Sequence, residues 1–214
     1  MVRSYLKIAW RNLQKNIPFT VINVSGLTLG LTCSILIFLW VKDEYSIDAF
    51  HKNSDRIHIV VSREYADGEI NGTYDTPGLL GEELPKVMPE IEFACGYSWS
   101  QFNTLAAGEK KVKRPGSFAG TDFFKIFSYP LLRGNAETAL KSPESIAISQ
   151  EMAEVLFGSP DAAINQTVRF ENYRDLKVTA VFNNIPSNSS ERFDYLINWH
   201  FFIEREPWLT NWDN

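Results

Sequence analysis

Cysteine is nearly missing from this sequence: there are two, Cys33 and Cys95, in 214 residues. That excludes a small scaffold held by disulfides, so the fold has to rest on a hydrophobic core. Cys33 falls inside an apolar run and Cys95 far beyond it, and the two are not expected to pair. Histidine is equally sparse. His51, His58 and His200 lack the spacing of metal ligands, so packed or solvated rings are expected. There is no glycine-rich loop ending in Gly-Lys-Ser/Thr to cradle nucleotide phosphates, and no Gly-x-Ser-x-Gly elbow. Repeats and low-complexity tracts are absent too. The residues therefore argue against an enzyme, and no cofactor is expected.

A further absence organises the chain. From Ile17 to Val41 there is no Asp, Glu, Lys, Arg or His. As a helix rising 1.5 Å per residue this stretch reaches roughly 37 Å, enough to cross a hydrocarbon core of about 30 Å with some tilt. Lipid offers the backbone no partners, so a crossing segment must satisfy itself, and a helix does so. The polar residues inside it are small and uncharged, and the Ser and Thr hydroxyls can bond back to the helix. The span is expected at 17–41. It is too long for a signal-peptide core and lacks a small-x-small cleavage site.

Acidic residues are also missing before Asp43, whereas Arg3, Lys7, Arg11 and Lys15 precede the span. Positive charge beside a span stays in the cytoplasm. The N-terminus is expected inside and everything after Lys42 outside, which in a bacterium is the periplasm. Trp10 and Trp40 stand near the two ends, at headgroup depth. The first 42 residues hold five basic groups and no acid; of the 21 basic and 26 acidic residues in the chain, the remainder keeps 16 and 26, a net −10. Such an acidic domain is not expected to bind nucleic acid.

Residues 1–16 read as a surface helix. Arg3, Lys7, Arg11 and Lys15 recur every four positions, with Tyr5, Leu6, Ala9 and Leu13 on the opposite side, the split of a helix lying in the membrane interface. Asn16-Ile17-Pro18 breaks it and restarts the next. Within the span, Gly26, Gly30 and Ser34 form a small-xxx-small stripe, joined by Asn23 one turn away, which invites a second helix to approach.

Beyond the span the pattern is α+β. Ile57, Ile59 and Val61 alternate as a strand over 57–62. Ala66-Asp67-Gly68-Glu69 is a hairpin turn. Thr76-Pro77 opens a helix ended by Pro89, and Phe93–Trp99 is a second strand. Lys110, Lys111, Lys113 and Arg114 read as a solvated hairpin tip. Phe123 and Phe124 lie in a short aromatic helix. Ser145–Ser149 is a strand whose last residue caps a helix carrying Met152, Ala153, Leu156 and Phe157 and ended by Gly158. Residues 167–170 and 176–182 form a hairpin. A polar loop at 186–190 precedes an apolar element over 195–202.

Several stretches together resemble a known family. Tyr5–Leu13, the Gly26/Gly30 span and Phe50-His51-Lys52-Asn53-Ser54-Asp55-Arg56-Ile57 are similar to the N-terminus of MacB/FtsX-type ABC transporter permeases, in the form common in Bacteroidetes. Asp122-Phe123-Phe124, Pro130–Gly134, Leu156-Phe157-Gly158 and Ile185–Ser189 follow in the family's order. Asn188-Ser189-Ser190-Glu191 stands where the family often reads Asn-Ser-His-Phe.

The resemblance implies an amphipathic helix and a first transmembrane helix carrying a periplasmic core domain over 43–214. It implies a porter-like part at about 43–105, an inserted part at about 106–185 and the start of a return segment at 186–214. It also implies a partner ATPase subunit, a second permease copy and a periplasmic adaptor or substrate, with the chain in the bacterial inner membrane. Such permeases drive export, efflux or lipoprotein release. The family has further spans after the core domain, so this chain is expected to be a fragment or to find its partner helices elsewhere. A single-span sensor or binding domain anchored in the membrane is the alternative.

Overall fold

The computed structural model of the chain describes residues 2–66 and 68–212. Asp67, in the expected turn at 66–69, lies outside them, as do Met1 and residues 213–214. The chain divides into two compact units, Met1–Ile47 and Asp48–Asn214.

In the first unit, α1 runs over Val2–Lys15 and α2 over Ile17–Glu44. Asn16 separates them, and Pro18 is tolerated in the first turn of α2, where no intrahelical bond is lost. The hydroxyl of Thr20 donates to the carbonyl of Leu13 at 2.9 Å, which satisfies one orphan acceptor at the end of α1. No residue of α2 is buried within the chain, and α2 is long and apolar enough to cross a membrane. Its hydroxyls turn inward: Ser25 bonds to Val21 O at 2.7 Å, Thr32 to Thr28 O at 2.8 Å and Ser34 to Gly30 O at 2.8 Å.

The second unit begins with a two-stranded hairpin, β1 (Ser62–Ala66) and β2 (Glu69–Thr73), followed by α3 (Leu80–Val87). Its body is a seven-stranded mixed sheet. The strands are β3 (Gln101–Ala107), β4 (Lys110–Ala119), β5 (Leu131–Arg133), β6 (Ser145–Ser149), β7 (Thr167–Phe170), β8 (Arg174–Phe182) and β9 (Tyr195–Asn198). The order is β5-β8-β6-β9-β4-β3-β7, and β7 pairs back onto β8. Six strands thus close on themselves, and β5 pairs with the end of β8 on the same edge that β7 uses at its start.

Closure makes an inside and an outside. Leu105, Phe118, Ile146, Ile148, Val168, Phe170, Leu176, Val178, Tyr195 and Ile197 gather in one core cluster with Met152 and Leu156 of α5 (Gln150–Phe157) and Phe201 of α7 (Trp199–Arg205). On the opposite face, Ala147, Ala180, Phe182 and Leu196 pack against Phe123 and Phe124 of α4 (Phe123–Ile126), with Tyr129, Leu140 and Phe193. A further short helix, α6, spans Pro160–Ala163.

β8 serves both clusters because of one irregularity. Its register against β6 shifts between Ile146↔Val178 and Ala147↔Ala180, leaving Thr179 as the extra residue of a bulge. By strict alternation Leu176, Val178, Ala180 and Phe182 would share one face. The bulge sends the first two inward with Val181, and Ala180 and Phe182 outward. Gly134 abuts it: a side chain there would begin 2.6 Å from Thr179 O, and φ is +82°. Both conditions require glycine.

The local signals for α5 were complete. Ser149 takes the amide of Met152 on its hydroxyl at 3.2 Å, and Gly158 closes the helix in the left-handed conformation at φ 89°. Replacing Ser149 with Ala should cost about 1 kcal/mol, the usual value of such a cap, read as a lower urea midpoint with an unchanged slope.

Two expected strands are not strands. Residues 57–61 are extended, but their first ladder contact comes at Ser62, and Ile59 is 76% exposed. Alternation shows that a segment can lie on a surface; it does not supply a neighbouring strand. Phe93–Trp99 makes a single bridge, Tyr97↔Ala119, with flanking bonds from Ser98 N and Gly120 N. The helix after Thr76-Pro77 starts at Leu80 without a side-chain cap and contains Pro85. β8 begins at Arg174, earlier than the expected 176, because Glu171 and Asn172 both take positive φ and shorten the loop. The apolar element at 195–202 splits into β9 and α7, where Asn198 takes the amide of His200 at 2.8 Å. The basic tip is not simply solvated. Lys110 Nζ bonds to Val155 O at 2.8 Å and Arg114 pairs with Glu151 at 2.7 Å, while Lys111 and Lys113 are exposed.

Candidate functional site

The chain enters the second unit at Asp48, in a left-handed conformation with φ 56°. An aspartate tolerates this better than most residues, and here it is tied down. Its amide donates to Asn188 O at 2.9 Å, and its carboxylate accepts the Ser190 amide at 3.0 Å and the Ser190 hydroxyl. The carbonyl of Asp48 then accepts the amide of His51 at 3.1 Å.

His51 is 6% exposed and sits among three rings: Phe50 at 4.1 Å, Tyr129 at 5.0 Å and Phe127 at 5.3 Å between centroids. Its Nδ1 accepts the amide of Ser128 at 3.1 Å, and the Ser128 hydroxyl accepts the amide of Lys52 at 3.0 Å. The Tyr129 and Ser189 hydroxyls meet at 3.2 Å. Three stretches remote in sequence, 48–52, 127–129 and 188–190, are thereby laced into one clasp. Burial holds the His51 pKa below its ordinary value, against the pull of Asp48. Burial likewise raises the phenol of Tyr129.

Beneath the clasp lies an aromatic cluster. Phe123 is its hub, with Phe127 at 4.7 Å, Phe124 and Tyr97 at 5.5 Å, Phe193 at 5.8 Å and Tyr129 at 5.9 Å. Offset and edge-to-face pairs of this kind add to the area they bury.

A second feature is a cleft of about 310 Å³ lined by Glu82, Pro85, Cys95, Asp122, Trp199 and His200. It lies between α3 and the start of α7. Trp199 Nε1 donates to Gly78 O at 2.7 Å, Gly78 N to Leu209 O at 3.0 Å, and His200 meets Glu82 at 2.9 Å. Cys95 and Cys33 are both free thiols. Burial pushes the Cys95 thiol up to about 12, so it stays protonated and is a poor nucleophile and metal ligand. Among the described residues no three His, Cys, Asp or Glu side chains come together as a metal site.

The structure brings some of the singled-out residues together. Phe50, Phe123 and Phe124 share the outer core cluster, His51 meets its rings at Phe50, Phe127 and Tyr129, and Pro186 shapes the loop that clasps Asp48, its carbonyl accepting Ser189 N at 3.1 Å and Arg192 Nη1 at 3.0 Å. Others stand apart. Phe157 packs on the inner cluster beside Gly158, and Gly134 holds β5 against the bulge. Arg56 pairs with Glu92 at 2.6 Å on the surface, and Asp55 is exposed. Asn23, Gly26, Gly30 and Ser34 are exposed on α2, with open space beside both glycines, and Arg3, Lys7, Arg11 and Lys15 are exposed on α1. Sequence reasoning missed Asp48, Ser128, Tyr129 and Ser190. Each is an ordinary loop residue until its distant partner is known, and the polar run 186–190 was the one local hint.

Against protein families, the model described as MacB-like periplasmic core domain matches residues 20–211. The chain belongs to this family. The match takes in most of α2 together with almost all of the second unit. No curated protein matches the chain. Among solved structures it is similar to a domain of a protein described as a candidate permease from Porphyromonas gingivalis. The TM-score is 0.56 at 20% identity, over 71% of this chain and 64% of that one. It also matches the periplasmic region of MacB from Actinobacillus actinomycetemcomitans (TM-score 0.45, 15% identity, 61% and 58% covered). The third is the extracellular domain of the noncanonic ABC-type transporter YknZ from Gram-positive bacteria (TM-score 0.40, 16% identity, 53% and 58% covered). The chain spans less than two thirds of the length of each of these structures.

As a MacB-like core domain, the second unit is a periplasmic segment of a membrane protein of the ABC permease class, and α2 is its candidate span. The α+β architecture expected from the sequence is the one found. The family is a permease component, generally non-catalytic.

Proposed function

We propose that this chain works within an ABC transporter permease as a mechanical coupler. A partner ATPase subunit hydrolyses ATP in the cytoplasm, and α2 carries the resulting displacement across the bilayer. The clasp at Asp48 and His51 passes it into the core domain, which drives export, efflux or lipoprotein release in the periplasm. Arg3, Lys7, Arg11 and Lys15 hold α1 at the cytoplasmic headgroups. Two copies form the working dimer through Asn23, Gly26, Gly30 and Ser34 on α2. A periplasmic adaptor or substrate meets the core domain. In this reading the porter-like part at about 43–105, the inserted part at about 106–185 and the return segment at 186–214 share one moving body, because β3 crosses the first boundary and β9 lies between β6 and β4 of the same closed sheet.

The observation that carries the reading is the single family match running from α2 through the core domain.

The test is purification of the full-length protein from native membranes. An ATP-hydrolysing subunit should copurify in a fixed ratio, and reporters should place the N-terminus in the cytoplasm and residues after Lys42 in the periplasm. A protein that purifies alone with both reporters in one compartment would overturn the proposal and return the chain to a simple anchored binding domain.

A further inference from the structure

The clasp is built on a group that changes charge near neutral pH. His51 holds its place through a lone pair: Nδ1 accepts the Ser128 amide at 3.1 Å. Only the neutral ring has that lone pair, with its proton on Nε2. An imidazolium at the same place would turn an N–H toward the Ser128 N–H, donor against donor. It would also put a charge among Phe50, Phe127 and Tyr129 in a pocket that leaves the side chain 6% exposed.

Few facing groups could compensate. On its own segment Asp48 is the one acid that favours the charged ring, and its carboxylate is already engaged by the amide and hydroxyl of Ser190. Lys52, next in sequence, carries like charge. From the 127–129 stretch the facing titratable group is the Tyr129 phenol, bonded to Ser189. From the following loop, Glu191 and Arg192 stand near Tyr129 with opposite charges.

The consequence spreads beyond one bond. Ser128 accepts Lys52 N through its hydroxyl and donates to His51 through its amide, so a ring that leaves the pocket frees both ties between 48–52 and 127–129. What then remains is the Asp48–Ser190 side of the clasp, on a residue held at φ 56°.

We propose that His51 is a proton-sensitive fastener: neutral, it locks residues 48–53 to the 127–129 loop; protonated, it releases them. The exposure of this switch to external acid follows from the topology proposed above, but the opening itself does not depend on that topology or on any ATPase partner.

The sign follows from burial. A ring whose folded pKa lies below the ordinary 6.5 is less protonated folded than opened. The closed state is therefore fully favoured above pH 6.5, weakens as pH falls from there to the lowered value, and levels off below it. Within that window opening rises by up to about tenfold per pH unit.

The experiment is hydrogen exchange on the full chain in detergent at about pH 7.5 and about pH 5, corrected for the intrinsic pH dependence of exchange. The wild-type chain should lose several-fold protection in peptides covering 48–53 and the Ser128 amide at the lower pH. His51→Asn keeps an acceptor near the Nδ1 position but cannot titrate, so its protection should be the same at both. Equal protection of the wild-type chain at the two pH values, or an unchanged pH response in the variant, overturns the proposal. Should the variant fail to fold, the His51 ring can be titrated by NMR in the wild-type chain. A midpoint below 6.5 is expected, and one at or above it overturns the proposal.

Discussion

Phe123→Ala should be the most damaging single truncation in the second unit. The side chain is 2% exposed and meets five aromatic rings, so its loss removes a large transfer term and leaves a cavity that rigid neighbours cannot collapse into. Such truncations cost about 3–5 kcal/mol, a large part of the total stability of an ordinary domain. Urea unfolding of the full chain in mild detergent, followed by near-UV circular dichroism, measures it. The clasp stands on this cluster through Phe127 and Tyr129, so protection at Ser128 should fall with it. Phe123→Leu fills part of the hole and should recover part of the loss. A cost below about 1 kcal/mol would mean that the cluster is not the support described here.

The second large effect is expected in the membrane. Ser34 spends its hydroxyl on Gly30 O, and, the helix's own neighbouring backbone aside, no described residue lies within 4 Å of where a side chain at Gly26 or Gly30 would begin. In lipid there is no hydrophobic drive between helices, so close backbone approach is what such a stripe contributes. Under the dimer and ATPase coupling proposed above, replacing both Gly26 and Gly30 with Leu should hold sister helices apart and abolish export by the full-length protein. Cys33 is seven residues from Gly26, two helical turns along the same side, and is a free thiol. Oxidative cross-linking through Cys33 should therefore join two copies in the wild-type protein and fail in the double variant. Cys33→Ser controls for the other thiol. Unchanged cross-linking and unchanged export in the double variant would remove the packing role of the stripe.

Much of the molecule is legible in its sequence. The missing charge from Ile17 to Val41 marked α2 because the requirement is local: a membrane-length helix is a statement about one stretch of chain. Ser149 and Gly158 marked α5 for the same reason, since cap and stop act within a turn of themselves. The two false strands show the limit. Ile57–Val61 has the alternation of a strand, but a ladder needs a partner at the right distance, and no periodicity reports one. The β8 bulge is a sharper case. Leu176, Val178, Ala180 and Phe182 read as a single apolar face, and only the pairing with β6 shows that Thr179 divides them between two clusters.

Unaided, the sequence determined the class of this protein: one uncharged helix, a basic flank before it, and an acidic α+β body beyond carrying the residues of a permease family. Those are properties of composition and short-range order, and each is decided within a few helical turns. The tertiary structure alone decided that the sheet closes on itself, that its strands face two cores, and that Asp48, His51, Ser128 and Ser190 meet. These contacts join residues about 80 to 140 positions apart, and what selects them is packing and the satisfaction of buried polar groups across the whole domain.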